Sequence, residues 1–295
     1  MSTEKKRGLV SMFHAQYGYS ITSLCHLLDL ARSSYYYHAI EHDESELQGA
    51  IETIAAEFVT YGSRRVSQQI RRPPHRMMVN RKRIQRVMRE MGLQRAQKRR
   101  KHRTTDSRHG FQRYPNLVKD LTVNTPDQVW VSDITYIRLH EDFVYLAVIM
   151  DVFTRAIRGW HLSRWLDQSL SIRALEKALS THTPKIHHSD QGVQYAANDY
   201  VVLLEDQEVK ISMAARGSPE ENPYAERLIR TIKEEEVHLA EYEDFSDANN
   251  QIGYFIEDVY QKKRIHSSLE YLTPVEFEQS YWGLRTEQLS PLNLA

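Results

Sequence analysis

The sequence predicts an α/β protein in which a mixed sheet carries helices on both faces and is preceded by small all-helical modules. Three observations support this prediction. Residues 1–120 are basic, with 23 Lys and Arg against 11 Asp and Glu, whereas the remainder has 16 against 28. Helical periodicity dominates up to about residue 103, and alternating strand patterns begin at Val129. From there strands alternate with helices, which is typical of a sheet with helices packed against it.

The composition excludes several classes of protein. The 295 residues are 41% hydrophobic and 26% charged, values that are typical of globular chains. Cys25 is the single cysteine, so no disulfide can form within the chain, and a reducing compartment fits. The longest apolar run, 143–150, is far shorter than the ~20 residues that a membrane helix needs. We therefore expect a cytoplasmic protein without a membrane partner, with about two domains.

Residues 1–45 are predicted to form short helices in a helix-turn-helix-like arrangement. Ser20 is a suitable N-cap, and the segment 29–31 is a plausible break before a second helix that starts at Arg32. The three tyrosines 35–37 allow two interpretations, stacking on a nucleic acid or completion of the helical core. The first helix is expected to bury Leu24, Leu27 and Leu28.

Residues 46–105 are predicted to form a second, strongly basic helical module. Between Tyr61 and Arg103 there are 16 Lys and Arg and a single acid, Glu90. Asn80 is a candidate N-cap and Gly92 a candidate stop for a helix whose other faces are basic. A polyanion, most commonly a nucleic acid, is the expected partner. The apolar stripe of this helix, which we assign to the core, is Ile84, Val87, Met88 and Met91. Residues 106–124 are expected to be a linker.

Residues 125–285 are predicted to form the sheet domain, followed by a tail at 286–295. The first strand begins at Val129, the second spans 143–150 and the third spans 156–162. Because the second strand is apolar throughout, it should be covered on both faces. Shorter strands are expected near 186 and 211. Helices are expected at 169–180, 198–207, from an Asn222 cap to about 238, at 247–263, and after a capping box that starts at Thr273.

Three acidic residues in this domain are candidates for a catalytic site. Asp133 lies on an apolar strand face, where an ionised side chain is costly unless it is paired. Asp190 directly follows a short strand, and Glu226 lies one turn inside a helix. Each also has a plain structural explanation, since Asp133 could bond a backbone amide and Glu226 could belong to a surface ion-pair ladder with Arg230 and Lys233. The three gain weight as a set, because hard divalent cations such as Mg²⁺ take oxygen ligands.

Several motifs together resemble the transposase and retroviral-integrase superfamily, and most closely the insertion sequence three family of bacterial transposases. The three acids stand in the order Asp, Asp, Glu, with 56 residues between the first pair and 35 between the second, and Lys233 follows seven positions after Glu226. Further segments similar to that family are 148–155, 61–65 with 79–86, and Arg264-Ile265-His266-Ser267-Ser268-Leu269 with Tyr271, Thr273 and Pro274. The likeness covers about residues 20–278.

The resemblance implies an RNase H-like integrase core and a magnesium-dependent transposase that acts as a DNA strand transferase. Asp133, Asp190 and Glu226 would be both catalytic residues and ligands of two Mg²⁺ ions, with Mn²⁺ as a substitute. The enzyme would nick the ends of an insertion sequence and join their 3′-hydroxyls to target DNA. It would bind terminal inverted repeats as a homo-oligomer, in association with the nucleoid. The expected DNA contacts are Arg64, Arg65, Arg81, Lys82, Arg83, Arg86, Arg230, Lys233, Arg264 and His266.

Some alternatives remain open at the level of sequence. Glu220 and Glu221 are rival ligands to Glu226, because this chain has Glu221 where many relatives have an aspartate. Asp151 is expected to cap a turn, and His187 and His188 are expected to be packed rather than metal-bound, since Mg²⁺ prefers oxygen. The chain could instead be a catalytically silent DNA-binding regulator derived from a transposase, or a nuclease of RNA–DNA hybrids on the same fold.

Overall fold

The computed structural model describes residues 1–37, 43–93, 114–140, 142–215 and 218–288. The chain divides into two compact units, Met1–Gln48 and Gly49–Ala295. Of the linker predicted at 106–124, residues 106–113 lie outside the described residues, and 114–124 are described and form neither helix nor strand. No helix in the described ranges combines the length and the apolar character that crossing a membrane requires.

The first unit contains three helices, α1 (Thr3–Tyr17), α2 (Ile21–Leu27) and α3 (Arg32–Tyr36). Ser20 caps α2 by accepting a hydrogen bond from the Ser23 amide at 3.1 Å, as predicted. The predicted core is wrong at one position, since Leu27 is 78% exposed. Helical rotation places Cys25 inward instead. The small core of this unit consists of Val10, Leu24, Cys25 and Leu30, with Tyr35 packed against it, whereas Tyr36 and Tyr37 are exposed.

The second helical module contains α4 (Ser45–Glu57), α5 (Ser63–Gln69) and α6 (Arg81–Glu90), and from Gly49 onward it belongs to the second unit. Asn80 caps α6, because its side-chain oxygen accepts from the Lys82 amide at 2.8 Å. Gly92 follows the helix in the left-handed conformation, with φ at 71°. Both helix limits were predicted. The apolar stripe of α6 faces the core as expected, with Ile84, Val87 and Met88 buried.

The sheet has five strands in the order β3-β2-β1-β4-β5. They are β1 (Val129–Arg138), β2 (Phe143–Asp151), β3 (Ile157–Ser163), β4 (Ile186–Ser189) and β5 (Lys210–Met213). The first three strands form an antiparallel meander, and β1–β4 and β4–β5 are parallel pairs. This is the mixed sheet that the sequence predicts. Because β2 lies between β1 and β3 and both of its faces are covered, its residues are almost all buried.

Helices pack on both faces of the sheet, as predicted. One face carries α7 (Gln168–Leu179) and α8 (Asn198–Glu205), and the other carries α9 (Pro223–Ile232) and α10 (Phe245–Tyr254). Each of α9 and α10 continues as a π-helical segment, Lys233–Val237 and Phe255–Lys263. The last helix, α11 (Pro274–Gln288), begins with the predicted capping box, in which Thr273 and Glu276 exchange hydrogen bonds of 2.9 and 3.2 Å.

The contact between β3 and α7 depends on a glycine. A Cβ atom added at Gly159 would fall well inside van der Waals distance of the Ala174 carbonyl oxygen and against Ala178. The absence of a side chain therefore lets the helix approach the strand closely.

Candidate active site

Asp133 lies near the middle of β1 and is half-buried. Its Oδ1 accepts a hydrogen bond from the Ile134 amide at 2.8 Å. Strand alternation places Asp133 on the same face as Val131 and Ile137, which belong to the core beneath α9 and α10. The carboxylate is therefore directed toward the layer that contains the predicted glutamate.

Asp190 follows β4 at the level of Asp133. Val131 of β1 pairs in parallel with His188 of β4, and each aspartate lies two residues further along its own chain. Neighbouring strands are separated by ~4.8 Å, so this register places the two aspartates side by side. Asp190 is half-buried, and its Oδ1 accepts from the Gly192 amide at 2.9 Å. The chain turn at Gly192 thus fixes the orientation of this carboxylate.

The hydroxyl of Tyr195 is affected by the charges of both aspartates. Its side chain is buried, and burial raises the pKa of its hydroxyl well above the usual value. The negative charges of Asp133 and Asp190 raise that pKa further, as does the neighbouring Tyr200. Both carboxylates therefore act on the hydroxyl of this one ring. The tyrosine was not anticipated from the sequence.

Helix α9 is attached to β1 beside Asp133. The side-chain amide of Asn222 donates to the Ser132 carbonyl oxygen at 3.0 Å. Asn222 occupies the predicted N-cap position of α9, but its side chain makes no capping bond to the helix. Its carbonyl instead accepts from the Glu226 amide at 3.2 Å, closing the first helical turn. The glutamate, which is exposed, therefore starts from a helix end that is bonded to the strand carrying Asp133.

The three predicted acids do not form one tight cluster. In the described part of the chain, the three-residue group whose candidate ligand atoms lie within 4.8 Å of one another is Asp127, His182 and Glu278. The guanidinium of Arg158 binds both acids of that group, at 2.9 Å to Asp127 and at 2.6 Å to Glu278. That group is therefore accounted for as a half-buried ion-pair cluster. Asp133 and Asp190 each follow by two positions a residue that is paired between β1 and β4, and Glu226 lies in the first turn of α9.

The rival acids have other partners or surroundings. Glu221 Oε2 accepts from the Ala215 amide at 2.7 Å and from the Asn116 side chain at 2.9 Å, and these hydrogen bonds lower the pKa of Glu221. Glu220 is exposed on the short 3-10 turn before α9. Asp151 is fully buried and caps its turn as expected, accepting from the amide and hydroxyl of Thr154 at 2.8 and 2.7 Å. Burial raises the pKa of Asp151.

The two histidines before Asp190 are packed, as expected. His187 is buried, and its Nε2 lies 3.0 Å from the Tyr200 hydroxyl. Burial lowers the pKa of His187 to about 3, so the ring is neutral at pH 7. His188 bonds the Ser212 hydroxyl at 2.8 Å and the Glu221 carbonyl at 3.1 Å. The imidazoles support the strand that carries Asp190.

The basic residues near Glu226 occupy different positions. Lys233 lies beyond the end of α9, and its Nζ is 4.6 Å from the ring centroid of Tyr136 on β1. This cation–π contact holds the ammonium close to the strand that carries Asp133. Arg230 is exposed one turn after Glu226. In the described residues, no salt bridge joins Arg230 to Glu226, so the simple ion-pair ladder is not formed.

The basic residues of the second module that were predicted to contact DNA fall into two groups. Some bind other side chains of the protein, and the others are assigned by their exposure to solvent. Arg86 pairs with Glu90 at 2.9 Å within α6. Arg65 reaches the sheet domain, where its Nη1 lies 3.3 Å from Glu235. Its guanidinium also stacks over the Tyr61 ring, at 5.1 Å from the centroid. Exposed members are Arg64, Arg81 and Lys82, and Arg83 is half-buried.

Arg264 and His266 lie deeper than their predicted DNA contacts imply. Arg264 is 3% exposed, and two of its nitrogens bind Glu235 at 2.6 and 2.8 Å. His266 is also buried, 3.2–3.3 Å from Arg264 Nη1. Burial and the neighbouring arginines lower the pKa of His266 well below its usual value. Both residues form the floor of a basic cavity whose outer residues, Arg155 and Arg227, were not selected from the sequence.

Family models match most of the described second unit. An integrase core domain model matches residues 123–219, a further integrase core domain model matches residues 207–274, and an HTH-like domain model matches residues 41–102. The chain is also similar to a solved structure of the HTLV-2 integrase catalytic core domain in complex with magnesium, at 16% identity and a TM-score of 0.43, over 52% of this chain and 97% of that one. The matched models define a protein with an integrase core that follows a helix-turn-helix-like module.

Two relatives identify the family within this class of proteins. The chain is 33% identical over 270 residues to an uncharacterized 31 kDa protein of insertion element IS600 from Shigella sonnei, covering 88% of this chain and 98% of the relative. It is 31% identical over 274 residues to the transposase InsF for insertion sequence IS3A from Escherichia coli K12, covering 88% and 94%. The chain belongs to the IS3 family of insertion-sequence transposases. The sequence prediction of that family is confirmed.

Proposed function

We propose that this protein nicks the ends of an insertion sequence and joins the resulting 3′-hydroxyls to target DNA by metal-dependent phosphoryl transfer. The observation that carries the proposal is the parallel register of β1 and β4, in which the paired residues Val131 and His188 each stand two positions before one of the aspartates, Asp133 and Asp190. The hydrogen bond between Asn222 and Ser132 brings the start of α9, and with it Glu226, to the same end of the sheet.

The donor set fits hard divalent cations. Asp133, Asp190 and Glu226 offer carboxylate oxygens, which Mg²⁺ prefers, and the nearby imidazoles are engaged elsewhere. Ligands of a two-ion site need not all lie close together, because the ions themselves are about 3.5–4 Å apart. These residues would hold two Mg²⁺ ions, for which Mn²⁺ would substitute. Such ions, when bound, would activate the attacking oxygen and stabilise the leaving oxygen.

The residues around the acids would position the DNA. Lys233, held beside β1 by Tyr136, and the exposed Arg230 are placed to contact phosphates next to the scissile bond. The exposed Arg64, Arg81 and Lys82 of the second module would bind the element ends, mostly through the backbone. Two ends must be joined in one reaction, so we propose that the active form is a homo-oligomer assembled on terminal inverted repeats.

Cleavage of labelled DNA tests the proposed reaction. Wild-type protein, Asp190→Asn and the control Glu176→Gln, an exposed substitution on α7, are incubated with a labelled duplex of the element end and Mg²⁺. We expect nicking by wild type and control and at least a hundredfold loss in Asp190→Asn, with equal DNA affinity in all three. Binding without nicking by every protein would instead indicate a silent regulator. Preferred cleavage of an RNA–DNA hybrid would indicate a nuclease.

A further inference from the structure

The basic cavity that contains Arg264 and His266 is also lined by residues of α9, Tyr224, Arg227, Leu228 and Thr231. It has a volume of about 280 Å³ and opens to solvent. Four arginines line it, Arg65 from the second helical module, Arg155 from the hairpin after β2, Arg227 from α9, and Arg264 after α10. No aspartate or glutamate of the described residues belongs to this lining. A cavity with four guanidinium groups in its wall attracts anions.

The cavity holds more positive charge than its surroundings neutralise. Glu235 lies behind the wall and pairs with Arg264 at 2.6 Å and with Arg65 at 3.3 Å, so one carboxylate serves two guanidinium groups. Within the described residues, no carboxylate lies in salt-bridge range of Arg155 or Arg227. Arg155 is held over the Tyr224 ring, at 4.2 Å from its centroid, and Arg227 is exposed. Two cations therefore face the opening without an anionic partner from the described chain.

The polar side chains at the base and at the mouth of the cavity are also compatible with a bound anion. His266 is kept neutral by burial and by the surrounding arginines, so it adds no charge, and its ring contacts Arg264. Ser267 and Ser268 are exposed at the rim, where their hydroxyls can donate hydrogen bonds. A cluster of guanidinium and hydroxyl donors that converge on one cavity matches the oxygens of a phosphate group.

We propose that this cavity, which we call the arginine pocket, binds a phosphate of the DNA backbone. The proposal rests on the proposed function, since it takes DNA as the substrate. Arg155 and Arg227 would contact the phosphate directly, while Arg264, fixed by Glu235, would shape the floor. Because Arg65 comes from the second module and Arg227 directly follows Glu226, one bound phosphate would link the DNA path over that module to the acidic site.

Salt-dependent DNA binding tests the arginine pocket without relying on catalysis. Affinities of wild type, Arg155→Gln, Arg227→Gln and the double variant are measured by fluorescence anisotropy in EDTA over a range of salt concentrations. Arg173→Gln, exposed on the opposite face of the sheet, is the matched control. If each arginine releases a counterion on binding, the slope of log K against log salt should fall by about 0.9 per lost phosphate contact. The control should keep the wild-type slope.

Further variants keep the test decisive if an arginine substitution impairs folding. Arg227→Lys retains the charge and should recover most of the slope, and Ser268→Asp adds a carboxylate at the exposed rim and should weaken DNA binding at least tenfold. Unchanged slopes in folded Gln variants would overturn the proposal even if wild type cleaves DNA. A further measurement uses inorganic phosphate as the ligand. If phosphate raises the melting temperature of wild type but not of the double variant, and the two proteins bind DNA with equal affinity, the pocket binds free phosphate and its assignment to DNA is wrong.

Discussion

The side-chain amide of Asn222 donates a 3.0 Å hydrogen bond to the main-chain carbonyl oxygen of Ser132. This bond joins the start of α9 to the residue directly before Asp133, so it links the helix that carries Glu226 to the strand that carries the first aspartate. Asn222 is buried, and a buried polar group that loses its partner costs about 1–3 kcal/mol.

We therefore expect Asn222→Ala to lower the free energy of unfolding by about 1–3 kcal/mol. The rate of DNA cleavage should fall by a larger factor than DNA affinity, because the position of Glu226 changes and the basic residues do not. Urea denaturation and single-turnover cleavage measure the two effects. Asn198→Ala, at an exposed position on α8, is the control and should match wild type in both. Equal cleavage by Asn222→Ala and wild type would contradict the positioning role.

The ion pair between Glu235 and Arg264 should contribute strongly to stability. Burial raises the pKa of Glu235, but hydrogen bonds and charges from Arg264 and Arg65 outweigh it and leave that pKa below the usual 4.5. Glu235→Gln leaves a buried guanidinium without its partner, and we expect a loss of about 3–5 kcal/mol at pH 7. Glu241→Gln, which is exposed, is the control and should be neutral.

The same pair predicts a pH dependence. A carboxylate whose pKa is lowered on folding stabilises the native state above its unfolded pKa, and that contribution disappears as the pH falls through the folded value. The difference in unfolding free energy between wild type and Glu235→Gln should therefore shrink below pH 4.5. A difference that stays constant from pH 7 to pH 3 would show that Glu235 is not ionised in the folded protein.

The successes and failures of the sequence prediction have physical causes. The order of helices and strands was predictable because amphipathic periods and caps, such as Asn80 on α6, are local signals. The contribution of Asn222 was missed because its partner, Ser132, lies 90 residues away, and no local pattern reports a long-range hydrogen bond. Leu27 was misassigned because a short helix can bury either of two adjacent faces, and the choice depends on tertiary packing.

The candidate site was predictable in its acids and less so in its cations. The spacing of the family motif identifies Asp133, Asp190 and Glu226 as a set. The surroundings of any one of these residues would not have assigned it to a catalytic site. The arginine pocket could not be predicted from the sequence, since Arg65, Arg155 and Arg227 come from three segments far apart in sequence. Arg264 differs from those outer arginines because it is buried, and the sequence of a polar loop motif does not show which of its side chains are buried.

His187 should make the protein less stable in mild acid. Burial lowers the pKa of its ring to about 3, while the unfolded chain binds a proton near the usual 6.5. Above 6.5 the ring is neutral in both states; below it the unfolded state takes up the proton, so native stability falls by up to about 1.4 kcal/mol per pH unit. His187→Gln should flatten the dependence measured by urea denaturation between pH 7 and 5, whereas His140→Gln, at an exposed position, should leave it unchanged.

Gly159→Ala should destabilise the sheet domain. The new methyl group would overlap the Ala174 carbonyl oxygen, which is backbone and cannot rotate away, so α7 must shift from β3. Overpacking of this kind costs about 1–3 kcal/mol, and more where the backbone is the obstacle. Gly283→Ala, in α11 with nothing within 4 Å of the added atom, is the matched control and should not destabilise. Thermal unfolding of both variants decides whether the close approach is required.

Divalent cations should stabilise the protein through the predicted carboxylates. Adding Mg²⁺ or Mn²⁺ brings positive charge to the carboxylates of Asp133 and Asp190, so the melting temperature should rise with metal concentration and return to its starting value in EDTA. Asp133→Asn and Asp190→Asn each remove one of the carboxylates proposed to bind the metal, so their melting temperatures should respond weakly to it. Asp199→Asn, at an exposed position on α8, should respond as wild type does. If the two site variants kept the full metal response, the ions would bind elsewhere, and the group at Asp127 would be the next position to test.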